Sequence, residues 1–99
     1  MSKSVIKNDR KGVCFICKRY TNTERHHIFG GAARKKSERD GLTVYLCHWC
    51  HNEPPNGVHH NRENEVKLKQ LGERTWCEYY GKTIADFIRE YGKNFILDD

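Results

Sequence analysis

Apolar residues in this chain come in short runs separated by longer polar stretches. Residues 1–12 are polar and charged apart from Val5-Ile6, and they end at Gly12. That pattern predicts a loose basic arm with at most a short strand at Val5-Ile6. Glu24 to Phe29 reads as a first strand, closed by the turn signal Gly30-Gly31. Residues 32–41 hold almost no apolar side chain and are expected to form an exposed loop. Leu42-Thr43-Val44-Tyr45-Leu46 is β-branched and aromatic, the pattern of a second strand. Two prolines and a glycine in Glu53-Pro54-Pro55-Asn56-Gly57 predict a loop that interrupts any helix begun at Trp49.

Two helices are expected after that loop. Leu68, Leu71, Thr75/Trp76 and Tyr79 fit helical spacing between about Arg62 and Tyr80, with Gly72 as a weak point. Ile84, Phe87, Ile88 and Tyr91 fall at i, i+3, i+4 and i+7. Thr83 and Asp86 form a capping-box start to this second helix, and Gly92 a stop. The expected fold class is α+β, as one domain over 1–99. It divides into an arm (1–12), a core (13–61) and C-terminal helices (62–99).

Composition changes this picture in one respect. Only 36% of the 99 residues are hydrophobic, yet five are Cys and six are His. A chain this small with so little core usually needs a disulfide or metal staple. Its first residues, Met1-Ser2-Lys3-Ser4-Val5-Ile6-Lys7, lack the apolar stretch of a secretory signal. No run approaches the roughly 20 apolar residues of a membrane span. The expected setting is therefore a reducing cytoplasm with no membrane partner, where cysteine clusters read as metal sites.

Cys14-x-x-Cys17 and Cys47-x-x-Cys50 are separated by 29 residues. Two thiolates at i and i+3 in a tight knuckle face one ion, and two knuckles complete the tetrahedral S4 shell of structural zinc. Cys77 stands apart and is expected to be a small apolar packing residue. The histidines form a second pattern. His26 and His27 are adjacent on the first strand, so they point to opposite faces. His51 follows Cys50, and His59-His60 follows the Pro-Gly loop. Three imidazoles with open positions would hold a catalytic divalent ion, with a further histidine left to act as base. Charge is uneven: residues 1–50 carry 11 Lys/Arg against 4 Asp/Glu, and residues 51–99 carry 7 against 9. A basic half of this kind suits a nucleic-acid partner as well as simple solubility.

Glu24-Arg25-His26-His27-Ile28-Phe29 and Leu46-Cys47-His48-Trp49-Cys50-His51-Asn52 resemble the HNH endonucleases of the ββα-metal, treble-clef-like fold. The closer resemblance is to small zinc-stapled HNH proteins of bacteriophages. It covers residues 14 to about 61. It implies a metal-dependent DNA endonuclease with His27 as general base. His26 and His51 match metal ligands, and His59 is the expected third, with His60 as its alternative. The cofactors implied are a structural Zn²⁺ and a catalytic Mg²⁺ or other divalent cation. The family's middle Asn falls near Leu42, where none is present, so Asp40, Asn52 or a backbone carbonyl is expected to orient His27. Arg25, Arg34, Lys35, Lys36 and Arg39 are expected to contact the phosphates of double-stranded DNA. Such units often act with a larger phage packaging or recombination protein. A zinc-ribbon nucleic-acid binder or regulator without catalysis is the competing expectation, and a pure interaction module using the acidic C-terminal helices is a third.

Overall fold

The structure, a computed structural model, describes residues 3–96. Its centre is a two-stranded antiparallel hairpin, β1 (Glu24–His27) and β2 (Thr43–Leu46). The register pairs Glu24 with Leu46, Arg25 with Tyr45, His26 with Val44 and His27 with Thr43. The expected first strand ran two residues further. There Ile28 N–H still donates to the Leu42 carbonyl at 3.0 Å, but no further rung follows. Val44 and Leu46 are fully buried on the inner face, while Tyr45 and Arg25 lie on the more open one.

The exposed loop expected over 32–41 is instead mostly helix. A single 3-10 turn, Gly31–Ala33, leads into α1 (Arg34–Asp40). Helical apolar periodicity could not reveal it, because polar residues anchor it. Ser37, fully buried, donates to the Leu42 carbonyl at 2.6 Å and accepts from the Phe29 N–H at 3.2 Å. Asp40, one turn on, faces the same interior. The helix stops at Gly41, whose φ of 74° is left-handed, a conformation that costs glycine least. A Cβ there would also lie 2.4 Å from the Lys3 carbonyl oxygen.

That close approach corrects a second expectation. The N-terminal arm is not loose from residue 3 onward; it is packed along the outer edge of β2. Val5 N–H donates to the Gly41 carbonyl at 2.9 Å, and Ser4 Oγ to the Thr43 carbonyl at 2.6 Å. Tyr45 N–H donates to Asp9 Oδ1 at 2.8 Å, and Phe15 N–H to the Tyr45 carbonyl at 2.8 Å. Ile6 is buried. These contacts satisfy the free edge of β2, which would otherwise invite pairing with another chain. No strand forms at Val5-Ile6.

A short helix, α2 (His48–Asn52), follows β2 directly. After the Pro-Gly loop come α3 (Arg62–Tyr80) and α4 (Ile84–Tyr91), matching the expected helices. Asn61 caps α3 by accepting from the Asn64 N–H. The capping box of α4 is complete, with Thr83 and Asp86 each bonded to the other's backbone. Gly72 is not merely a weak point in α3. A Cβ there would lie 3.0 Å from both Ile28 and Phe29, so its absence lets α3 pack closely on the end of the hairpin. The core is aromatic at that contact: Phe29, Trp76, Phe87 and Tyr91 interlock, with Phe87 and Tyr91 stacked at 4.6 Å. Among the described residues no helix is long and apolar enough to cross a membrane.

Asp40 ties α1 to both C-terminal helices. Its Oδ2 accepts from Trp76 Nε1–H at 3.0 Å and from the Tyr91 hydroxyl at 2.7 Å, and Arg39 pairs with both oxygens. Burial raises the Asp40 pKa, but Arg39, Tyr91 and Trp76 outweigh it and hold the carboxyl below its ordinary 3.8. A group lowered in the folded state stabilises above its unfolded pKa and loses that contribution as pH falls through the folded value. Asp40→Ala strands the buried Trp76 N–H and the half-buried Tyr91 hydroxyl and is expected to cost about 2–4 kcal/mol in denaturant unfolding. The wild-type advantage over Asp40→Ala should shrink as pH falls below about 4.

Candidate metal centres

Two clusters of metal-ligating side chains form, on the two sides of α2. In the first, Cys14 and Cys17 sit on a tight knuckle in which Lys18 N–H donates to the Cys14 carbonyl at 2.9 Å. Lys18 has a φ of 66°, which turns the chain back. Cys47 caps α2 and Cys50 lies within it. One sulfur from each of the four falls within 4.8 Å of the others, and Cys17 Sγ to Cys47 Sγ is 3.7 Å. A tetrahedron with metal–sulfur bonds of about 2.3 Å has edges of about 3.8 Å. All four cysteines are free thiols rather than disulfides.

One of these thiols is lowered and two are raised. Burial would raise Cys14, but backbone N–H groups of Cys47, Cys17 and Ile16 outweigh it and bring the thiol down to about 6. Burial and then the neighbouring sulfurs push Cys50 far up, and burial also raises Cys17. Four thiolates at this separation therefore fit a soft dication between them, and zinc suits the set. Cys77, on α3, is half-buried against the core and lies outside this group.

The second cluster brings together His26 from β1, His51 from α2 and His59 from the segment after the loop. One nitrogen from each lies within 4.8 Å of the others. His51 Nε2 and His59 Nε2 are 2.9 Å apart, close to the roughly 3 Å edge of an octahedral site with metal–nitrogen bonds of about 2.1 Å. The loop reaches back because Val58 is buried and its N–H donates to the Cys50 carbonyl at 2.8 Å. His59 N–H then donates to the His51 carbonyl at 3.2 Å. His60, the alternative third ligand, is exposed and outside the cluster.

His26 is buried, and burial, followed by the nearby His51 and His59, pushes its pKa down to about 3. Burial lowers His59 as well. Both imidazoles are thus neutral, the form that ligates metal. His51 Nδ1–H donates to Glu24 Oε1 at 2.7 Å, which turns Nε2 toward the cluster. Asn52 also donates to Glu24 Oε1, at 3.1 Å. His48 lies outside the group; its Nε2 bonds Glu53 at 2.7 Å and its Nδ1 lies 3.5 Å from Glu24 Oε2. Three imidazoles suit Zn²⁺ or Ni²⁺ better than the oxygen-preferring Mg²⁺.

A shallow depression of about 320 Å³ opens over the cluster and is lined also by Arg25, His27 and Arg34. His27, the next residue on β1, lies outside the three-nitrogen group. Its Nε2–H donates to Glu38 Oε1 at 2.8 Å. Arg25 holds that carboxylate through both of its oxygens at 3.0 Å. The groups expected to orient His27 are engaged elsewhere: Asp40 with Trp76 and Tyr91, Asn52 with Glu24. Glu38 and Glu24 were the residues that sequence reasoning missed. Glu24 lies two residues before His26, and no pattern marks it; Glu38 falls in the segment misread as loop.

The expected phosphate contacts are also redistributed. Arg25 pairs with Glu38, Arg39 pairs with Asp40 and Glu90, and Lys36 donates to the Glu90 carbonyl at 2.6 Å. Arg34 and Lys35 remain exposed, and only Arg34 lines the histidine depression. No protein family, curated protein or solved structure matches this chain.

Protein purified from zinc-supplemented cells is expected to hold one tightly bound zinc per chain by atomic emission. Cys14→Ser or Cys47→Ser should abolish it and, with it, cooperative thermal unfolding. His51→Ala should leave this zinc in place.

Proposed function

We propose that this protein is a metal-dependent DNA endonuclease of the HNH, ββα-metal type, with zinc in the four-cysteine cluster as its structural staple. The observation that carries the reading is the convergence of His26, His51 and His59 in one open depression that His27 also lines. A structural site would close all positions around its ion; three imidazoles leave positions for substrate and water.

The division of labour follows from the hydrogen bonds. Glu38 accepts the Nε2 proton of His27, which leaves Nδ1 with its lone pair as the atom that takes a proton from water. Arg25 keeps Glu38 from swinging away, so the imidazole is held in one orientation. Glu24 does the same for His51. Arg34, at the rim, offers an exposed guanidinium to a flanking phosphate. A divalent cation held by the three imidazoles would supply Lewis-acid charge to the scissile phosphodiester and its leaving oxygen.

Supercoiled plasmid incubated with Mn²⁺, Ni²⁺, Zn²⁺ or Mg²⁺ is the direct test. The expected result is divalent-dependent nicking, slowed at least about 100-fold by His27→Ala with DNA binding retained. Glu38→Ala should fall between wild type and His27→Ala, and Glu38→Gln, which keeps an acceptor oxygen, should recover part of the loss. Undiminished nicking by clean His27→Ala protein overturns the assigned base. DNA binding with no nicking under any of the four ions leaves the non-catalytic zinc-ribbon reading in its place.

A further inference from the structure

The charge of this chain is concentrated in one stretch. Residues 3–20 carry Lys3, Lys7, Arg10, Lys11, Lys18 and Arg19 against Asp9 alone. The rest of the chain is balanced, since 18 cations and 13 acids overall leave twelve of each outside it. The whole net charge of +5 therefore belongs to the arm and the first cysteine knuckle.

The fold gives this stretch a definite place. Because the arm is bonded along the outer edge of β2, its cations stand beside the open face of the hairpin rather than on a free tail. A shallow depression of about 430 Å³ is lined there by Lys3, Arg10, Lys11, Arg25 and Tyr45. Arg25 also lines the histidine depression, so the two share that side chain as a common wall. Lys3 and Lys11 are exposed and form no ion pair among the described residues. Arg10 is steadied by the Tyr20 hydroxyl at 3.3 Å and lies over that ring, which leaves other N–H donors of its guanidinium for a second partner. Asp9 is the one acid in the depression. Its Oδ1 is committed to the Tyr45 N–H, and burial raises its pKa, so it opposes an anion less than an exposed carboxylate would.

We infer that this depression is a phosphate track: the arm residues Lys3, Arg10 and Lys11 bind the backbone of double-stranded DNA and lead it over Arg25 to the histidine depression. The main anchoring surface is thus the arm along β2, and the α1 segment contributes Arg34 and Lys35 only. The choice of DNA as the polyanion rests on the nuclease reading of the histidine site; the surface itself rests on charge and geometry alone.

Fluorescence anisotropy with a 20-base-pair duplex tests it, using full-length protein carrying His27→Ala so that the probe stays intact. Adding Lys3→Gln, Arg10→Gln and Lys11→Gln should weaken binding about tenfold or more near 0.1 M salt. The slope of log affinity against log salt should become shallower by about 2–3, one condensed cation per lost contact. Arg34→Gln with Lys35→Gln should lower the slope by less. In the protein that keeps its arm, DNA should protect Lys3 and Lys11 from acetylation read by mass spectrometry, a measurement that does not depend on the triple variant folding. Unchanged affinity and slope in a folded triple variant, or equal acetylation with and without DNA, overturns the track. DNA binding that needs the arm in a protein whose wild type never nicks plasmid overturns the nuclease reading and leaves the track standing.

Discussion

Four sulfurs within 4.8 Å of one another set the condition that the rest of this fold depends on. As thiolates they repel, and burial first, then the neighbouring sulfurs, push Cys50 and Cys17 up. With a dication in place the same proximity becomes a crosslink between the knuckle at Cys14-Cys17 and the junction of β2 with α2. That crosslink matters because the segment it holds has little else. α2 spans only His48–Asn52, too short to be stable as an isolated helix. Its ends are held by Cys47 and Cys50 on one side and by the returning Val58 N–H on the other.

The sequence was most informative where chemistry forces spacing. The two cysteine pairs, the alternation of His26 and His27 and the capping box at Thr83 each follow from a local rule, and each is present in the structure. The α4 helix was legible from its i, i+3, i+4, i+7 spacing and its capping box, and α3 from a looser match to the same spacing. His59 could be singled out from His60 only as the first histidine after the loop. Its actual position depends on the buried Val58 and two backbone hydrogen bonds to α2, which no spacing rule encodes.

What stayed hidden was held together by polar contacts over long sequence distances. α1 looks like a loop because its inward positions are Ser37 and Asp40 instead of aliphatic residues. Ser37 reaches Phe29 and Leu42, and Asp40 reaches Trp76 and Tyr91, 36 and 51 residues away. The arm looks free because its one apolar pair is short, yet its anchors are Ser4, Asp9 and the bare Cα of Gly41. Glu38 became visible only once α1 was a helix, because one turn of that helix is what carries a carboxylate back to His27.

The two metal-ligating clusters are coupled by this economy of scaffold. His51 follows Cys50 directly, and His59 is bonded to the His51 carbonyl. Two of the three imidazoles therefore take their position from the helix that the sulfurs hold, and only His26 takes its own from the hairpin. A larger protein could place such ligands on elements that fold independently. Here a change at the sulfur cluster reaches the histidines through one covalent step, whereas the reverse path is weaker: removing an imidazole leaves Cys47, Cys50 and the Val58 bond where they were. The structural cluster is thus a precondition of the open one, and the asymmetry follows from which residues each cluster shares with α2.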